Sequence, residues 1–170
     1  MKQKRNKGFS LIELIVVIAI LAIIAAGSAT LFLSTSTYRA KQAVEEIRAT
    51  MSETRMQALS KTNAWMELKQ RADGTYVITT SYSGDAVLGS SYTITYTKDG
   101  DATAVPISTT NSLILTYDRS SGGFSDIKTR NADDSLSGTG AYCDSITVSK
   151  GPKNFVIRLY KDTGKHKCEG

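Results

Sequence analysis

The sequence predicts an α+β protein: a long N-terminal helix whose second half carries an antiparallel β-sheet head. Three observations lead there. Twenty uncharged, mostly apolar residues run from Leu14 to Leu33. A narrow apolar stripe of helical period follows, with no proline between residues 9 and 61. Beyond it, short runs rich in β-branched and aromatic residues alternate with Gly/Asp/Ser turns.

The elements follow in chain order. Residues 1–8 are short and basic, with Lys2, Lys4, Arg5 and Lys7. In residues 9–33 the one charge is Glu13. As a helix, 20 apolar residues cover about 30 Å, one bilayer core. A spanning helix satisfies its own backbone, and the basic flank stays in the cytoplasm, so the head faces outward. The run is long for an ordinary signal peptide, although 25–29 (AAGSA) imitates a cleavage site. A plain anchor leaves Glu13 unexplained, because a carboxylate in an apolar span is costly unless paired.

Ala40, Val44, Ile47, Met51, Thr54 and Ala58 are spaced four and three apart, and charged residues lie between them. That is one buried helical face with a solvated opposite face. The pattern predicts one helix from Phe9 to Lys61, about 80 Å long, through the weak helix formers 34–37 (STST). The chain then divides as 1–8, 9–33 and a head of 34–170, the head holding amphipathic helix 34–61 and β-rich region 64–170.

Strands are expected at 64–70, 75–82, 92–97, 112–117, 145–149 and 154–160, with a short one at 124–128. Arg71–Gly74 and Lys150–Lys153 read as hairpin turns, and 98–111 and 129–142 as loops. The expected strand core is Trp65, Leu68, Ile78, Ile94, Leu113, Leu115, Ile146, Val148, Val156 and Leu159.

Charge and composition exclude several functions. The chain carries +5, but outside the first eight residues 17 basic residues face 16 acidic ones. A generally basic nucleic-acid-binding domain is therefore disfavoured. One His and two Cys exclude histidine-rich metal sites and zinc modules. No nucleophile elbow or phosphate loop is present, and His166 sits between lysines near the C-terminus. Asp126, Asp133, Asp134 and Asp144 do not match an EF-hand and read as solvated loop residues. No enzyme, metal or cofactor is expected. Local basic density remains: Lys150, Lys153, Arg158, Lys161, Lys165 and Lys167 give +4 over the last 21 residues. Such a patch would contact DNA phosphates; an ordinary solvated end is the simpler reading.

Residues 7–14, Lys-Gly-Phe-Ser-Leu-Ile-Glu-Leu, with the basic leader before them and the apolar run after, closely resemble the cleavage and methylation segment of type IV prepilins and type II secretion pseudopilins. The resemblance implies that a prepilin peptidase cuts between Gly8 and Phe9 and N-methylates Phe9, with the apolar segment retained. Glu13 then lies four residues from the new amine, on the same helical face. In low dielectric the two charges relieve each other, and the family uses this pair between subunits to set their stagger. Other pilin or pseudopilin subunits, an assembly-platform membrane protein and the lipid bilayer are the implied partners. The implied place is the cytoplasmic membrane, single-pass, then a cell-surface or periplasmic filament.

Residues 54–63, leading from helix into strand, and Thr163-Gly164-Lys165 resemble H-type pseudopilins and related minor pilins. The family's usual proline in the apolar helix is replaced here by Thr30, which points to a minor or initiating subunit. A competence pseudopilin serving DNA uptake is the alternative within the family, and a non-polymerising anchored binding module the alternative outside it. Cys143 and Cys168 lie 25 positions apart on the side where disulfides persist, and their arrangement resembles the disulfide-bounded C-terminal region of pilins. A bond there is expected to tether the tail.

Overall fold

The computed structural model describes residues 11–60 and 63–169, without the side chains of 26–36. The chain divides into two units, Met1–Thr35 and Ser36–Gly170. Helix α1 spans Leu11–Ser60, 50 residues, and is helical through Gly27 and the Ser/Thr run. Its predicted limits, Phe9 and Lys61, lie outside the described residues.

Among the described residues eleven strands follow: β1 (Trp65–Gln70), β2 (Tyr76–Thr80), β3 (Ala86–Gly89), β4 (Thr93–Lys98), β5 (Val105–Pro106), β6 (Leu113–Thr116), β7 (Lys128–Arg130), β8 (Leu136–Gly138), β9 (Cys143–Lys150), β10 (Lys153–Tyr160) and β11 (Lys165–Glu169). They form two sheets rather than one, in the orders β3-β2-β1-β6-β7-β8 and β11-β10-β9-β4-β5. Every described pairing is antiparallel. The fold class is α+β, as predicted.

Within Ser36–Gly170 the helical stripe forms part of the core. All six stripe residues are buried, and Ala43 joins them. All but Thr54 share one apolar cluster with Met66, Leu68, Ile78, Leu113 and Leu115 of the first sheet and Ile94, Ile146, Val148 and Ile157 of the second. Fully burying an Ile or Met side chain stabilises by about 1.5–3 kcal/mol, so this face outweighs the modest propensity of the helix. Thr54 is tolerated in the stripe because its hydroxyl donates to the Thr50 carbonyl at 2.7 Å and lies 2.9 Å from the Tyr82 hydroxyl. The Tyr117 hydroxyl donates to the Met51 carbonyl at 2.9 Å, tying sheet to helix.

The two hairpin signals hold. Arg71–Gly74 joins β1 to β2, with Gly74 at φ 82° and its amide donating to the Arg71 carbonyl at 2.9 Å. Gly151 at φ 55° turns β9 into β10, the positive φ that a tight hairpin requires.

Other expectations need correction. In β10 the inward residues are Ile157 and Leu159; Val156 faces the other way, because residues 156 and 159 cannot share one face of a strand. Trp65 also leaves the core: it lies on the outer face of β1, beneath Arg130. The loops 98–111 and 129–142 contain β5, β8 and part of β7. The tail expected to be loose is strand β11, paired with β10 from Tyr160↔Lys165 to Val156↔Glu169.

The tail therefore needs no disulfide, and none forms: Cys143 and Cys168 are free. Cys168 is opposite Ile157, which is opposite Ile146, three residues beyond Cys143 on β9. Strand β10 lies between the two cysteines. Strand spacing puts their Cα atoms on the order of 13 Å apart, beyond the roughly 7 Å that a bridge allows. Burial pushes the Cys143 thiol pKa well up, so it remains a protonated core residue.

Candidate functional site

The first described residues of the N-terminal segment are Leu11–Ala25. They read LIELIVVIAILAIIA and are exposed at every position. Leu11 is 77%, Ile12 70% and Ile23 74% exposed. A helix apolar on all sides has no solvated face, so it demands an apolar environment around its whole circumference. Its composition specifies a lipid or protein surround, since so large an exposed apolar surface marks an interaction site.

Among the described residues no helix is long and apolar enough to cross a membrane. The expected span 14–33 runs past Ala25 into residues whose side chains are not described.

Glu13 lies on α1 at the start of its described part and is exposed. Gly8 and Phe9, the predicted cleavage and methylation positions, lie outside the described residues.

The six C-terminal cations do not make one patch. Lys150 and Lys153 pair across the β9–β10 turn. Arg158, Lys161, Lys165 and Lys167 lie toward the other end of β10. Arg158 is paired with Glu169 at 3.3 Å, and the Lys161 ammonium lies 3.5 Å from the centre of the Tyr142 ring. Lys165 and Lys167 alternate along edge strand β11, where lysines discourage pairing with another sheet edge. Among the acidic loop residues, Asp126 holds Lys128 and the Gly140 amide, Asp133 holds Ser135, and Asp134 holds Arg130.

His166 is not an exposed tail residue. It faces inward on β11, half-buried, with Nε2 3.5 Å from Ser52 Oγ on α1. Burial lowers its pKa, and the Arg48 and Arg55 charges lower it further. The unfolded chain, with an ordinary histidine pKa of 6.5, therefore takes up protons first as pH falls. The head gains stability as pH rises through this window and loses it on acidification. In thermal melts of the full chain in detergent, His166→Gln is expected to lose part of the drop in Tm seen between pH 7.5 and pH 5.5. An identical drop in both proteins would remove His166 as its source.

Residues 3–29 match the family model for the prokaryotic N-terminal methylation motif. That motif marks a type IV prepilin-like protein, of the kind processed by prepilin peptidase and assembled with other pilins. The match falls on the segment that carries Gly8, Phe9, Glu13 and the exposed apolar helix. No curated protein and no solved structure matches the chain.

One group of residues carries no local signal of its association. Arg130 on β7 reaches Glu67 on β1 at 3.2 Å, Asp134 at 2.7 Å and the Trp65 ring at 4.6 Å. These residues are up to 69 positions apart, and only the sheet order brings them together.

Proposed function

We propose that the chain is a prepilin-type structural subunit rather than an enzyme. Prepilin peptidase cuts it between Gly8 and Phe9 and methylates Phe9. The apolar helix holds it in the cytoplasmic membrane with the head outside. The same helix then packs among other pilin-like helices in a type IV pilus or type II secretion pseudopilus. A minor or initiating subunit is the preferred role, on the absence of proline from 9–61 and the likeness of 54–63 to H-type pseudopilins. The observation that carries the reading is the methylation motif at residues 3–29.

The pairing of Arg158 with Glu169 and the dispersal of the lysines weigh against a competence pseudopilin that reads DNA through this surface. An anchored module that never polymerises would not call for the motif.

The test is mass spectrometry of the mature N-terminus, from cells with and without prepilin peptidase. The expected product begins at N-methylated Phe9 and disappears with the enzyme. An intact Met1, or a start near Ala29, would remove the assembly role together with the motif.

A further inference from the structure

A groove of about 470 Å³ opens on the head where Ala64, Trp65, Thr116, Arg119, Asp134 and Leu136 meet. Its size is that of a small-ligand site. Its walls are of two kinds. Some are fixed: Arg130 holds the Trp65 indole and the Asp134 carboxylate at once, and is itself anchored by Glu67. Asp134 is held at φ 66°, the one described non-glycine residue with positive φ. Others are unengaged. Thr116, opposite Trp65 in the β1–β6 register, has a buried hydroxyl oxygen with no hydrogen-bond partner among the described residues. Arg119 is exposed and makes no ion pair among the described residues. Asn63 adds an amide at the rim.

We propose that this groove binds an acidic saccharide, a pyranose unit bearing a carboxylate. Arg130 stands over the Trp65 ring, and the indole surface that lines the groove offers a flat apolar contact to the C–H face of a sugar ring. Hydroxyl, amide and carboxylate groups around it match the alternating donors and acceptors of sugar hydroxyls. Arg119 lines the groove without an ion-pair partner among the described residues, and a guanidinium takes a carboxylate through two parallel hydrogen bonds. The Thr116 hydroxyl gains the partner that the fold denies it. A nucleic-acid strand also stacks on tryptophan, and the oligothymidylate in the titration below separates that occupant from the sugar.

Trp65 is the single tryptophan of the chain, so its emission reports on this groove alone. The full chain, in a zwitterionic detergent without a sugar headgroup, would be titrated with trigalacturonate, neutral maltotriose and a short oligothymidylate. A saturable emission change with trigalacturonate is expected, at least tenfold weaker for maltotriose. Arg119→Gln should remove that preference. Thr116→Val should weaken binding severalfold while the circular dichroism and Tm stay near those of the parent. The absence of a saturable change, equal binding of the neutral sugar, an Arg119→Gln protein that binds as before, or a preference for the oligonucleotide would each overturn the assignment.

Discussion

Gly164→Ala is expected to cost the head about 4 kcal/mol and to lower its Tm by roughly 10–15 °C. Two separate penalties add at this position. Gly164 has φ 61°, where a side chain costs about 1–2 kcal/mol. A Cβ there would also overlap the Gly122 carbonyl oxygen and come within 2.9 Å of Arg55 Nε. Backbone cannot move aside as a flexible side chain does, and overpacking of this kind adds about 1–3 kcal/mol. The Gly122 carbonyl already accepts from Arg55 Nε at 2.9 Å, and the Phe124 amide donates to the Lys161 carbonyl at 2.8 Å. Helix α1, the loop after β6 and the β10–β11 turn therefore close on one another here. Gly151→Ala is the control, because Gly151 has φ 55° but open space around its Cβ position. It should cost about 1 kcal/mol. Equal losses in the two variants, measured by chemical or thermal unfolding, would show that close approach contributes nothing.

Legibility in the sequence tracked how local the cause was. The helix stripe could be read residue by residue, because a period of 3.6 is a property of the chain alone, and every stripe residue from Ala40 to Ala58 is buried. Both hairpins were visible for the same reason, since a glycine at positive φ fixes a turn within four residues. Strands β5 and β11 were not. Val105–Pro106 is two residues long, and its proline suits it only to a sheet edge. Lys165–Glu169 reads KHKCE, with no β-branched residue to signal a strand. It exists because β10 offers it a partner. The tail's order was misassigned to a disulfide because the tertiary alternative, a backbone ladder, leaves no mark in composition. The N-terminal segment was legible as chemistry, since its motif is contiguous. The Trp65–Arg130–Glu67 group was not, because strand order alone creates it.

Glu13→Val is expected to leave the head folded and to reduce incorporation into filaments on the order of a hundredfold. The head should be indifferent: among the described residues its apolar cluster begins at Ala40. Valine is as apolar as its neighbours, so the helix itself becomes more compatible with lipid or with a filament core. Under the proposed processing, cleavage before Phe9 would place an ammonium at the start of that apolar stretch. Leaving one member of a buried charge pair alone costs about 3–5 kcal/mol, and each 1.36 kcal/mol is tenfold. Desolvation is then unfavourable for the lone amine of the variant, whereas the parent offers it a carboxylate. Glu13→Asp should recover part of the loss, because it keeps the charge and shortens its reach; Glu13→Gln should recover little. The measurement is the ratio of subunit in sheared filaments to subunit in membranes, with the mature N-terminus checked in each variant. An unprocessed variant would shift the defect to cleavage, and equal incorporation of processed Glu13→Val and parent would mean that the carboxylate has no part in assembly. That last result would leave the apolar surface of Leu11–Ala25 as the whole driving force for assembly, and would remove the amine–carboxylate pair from the mechanism.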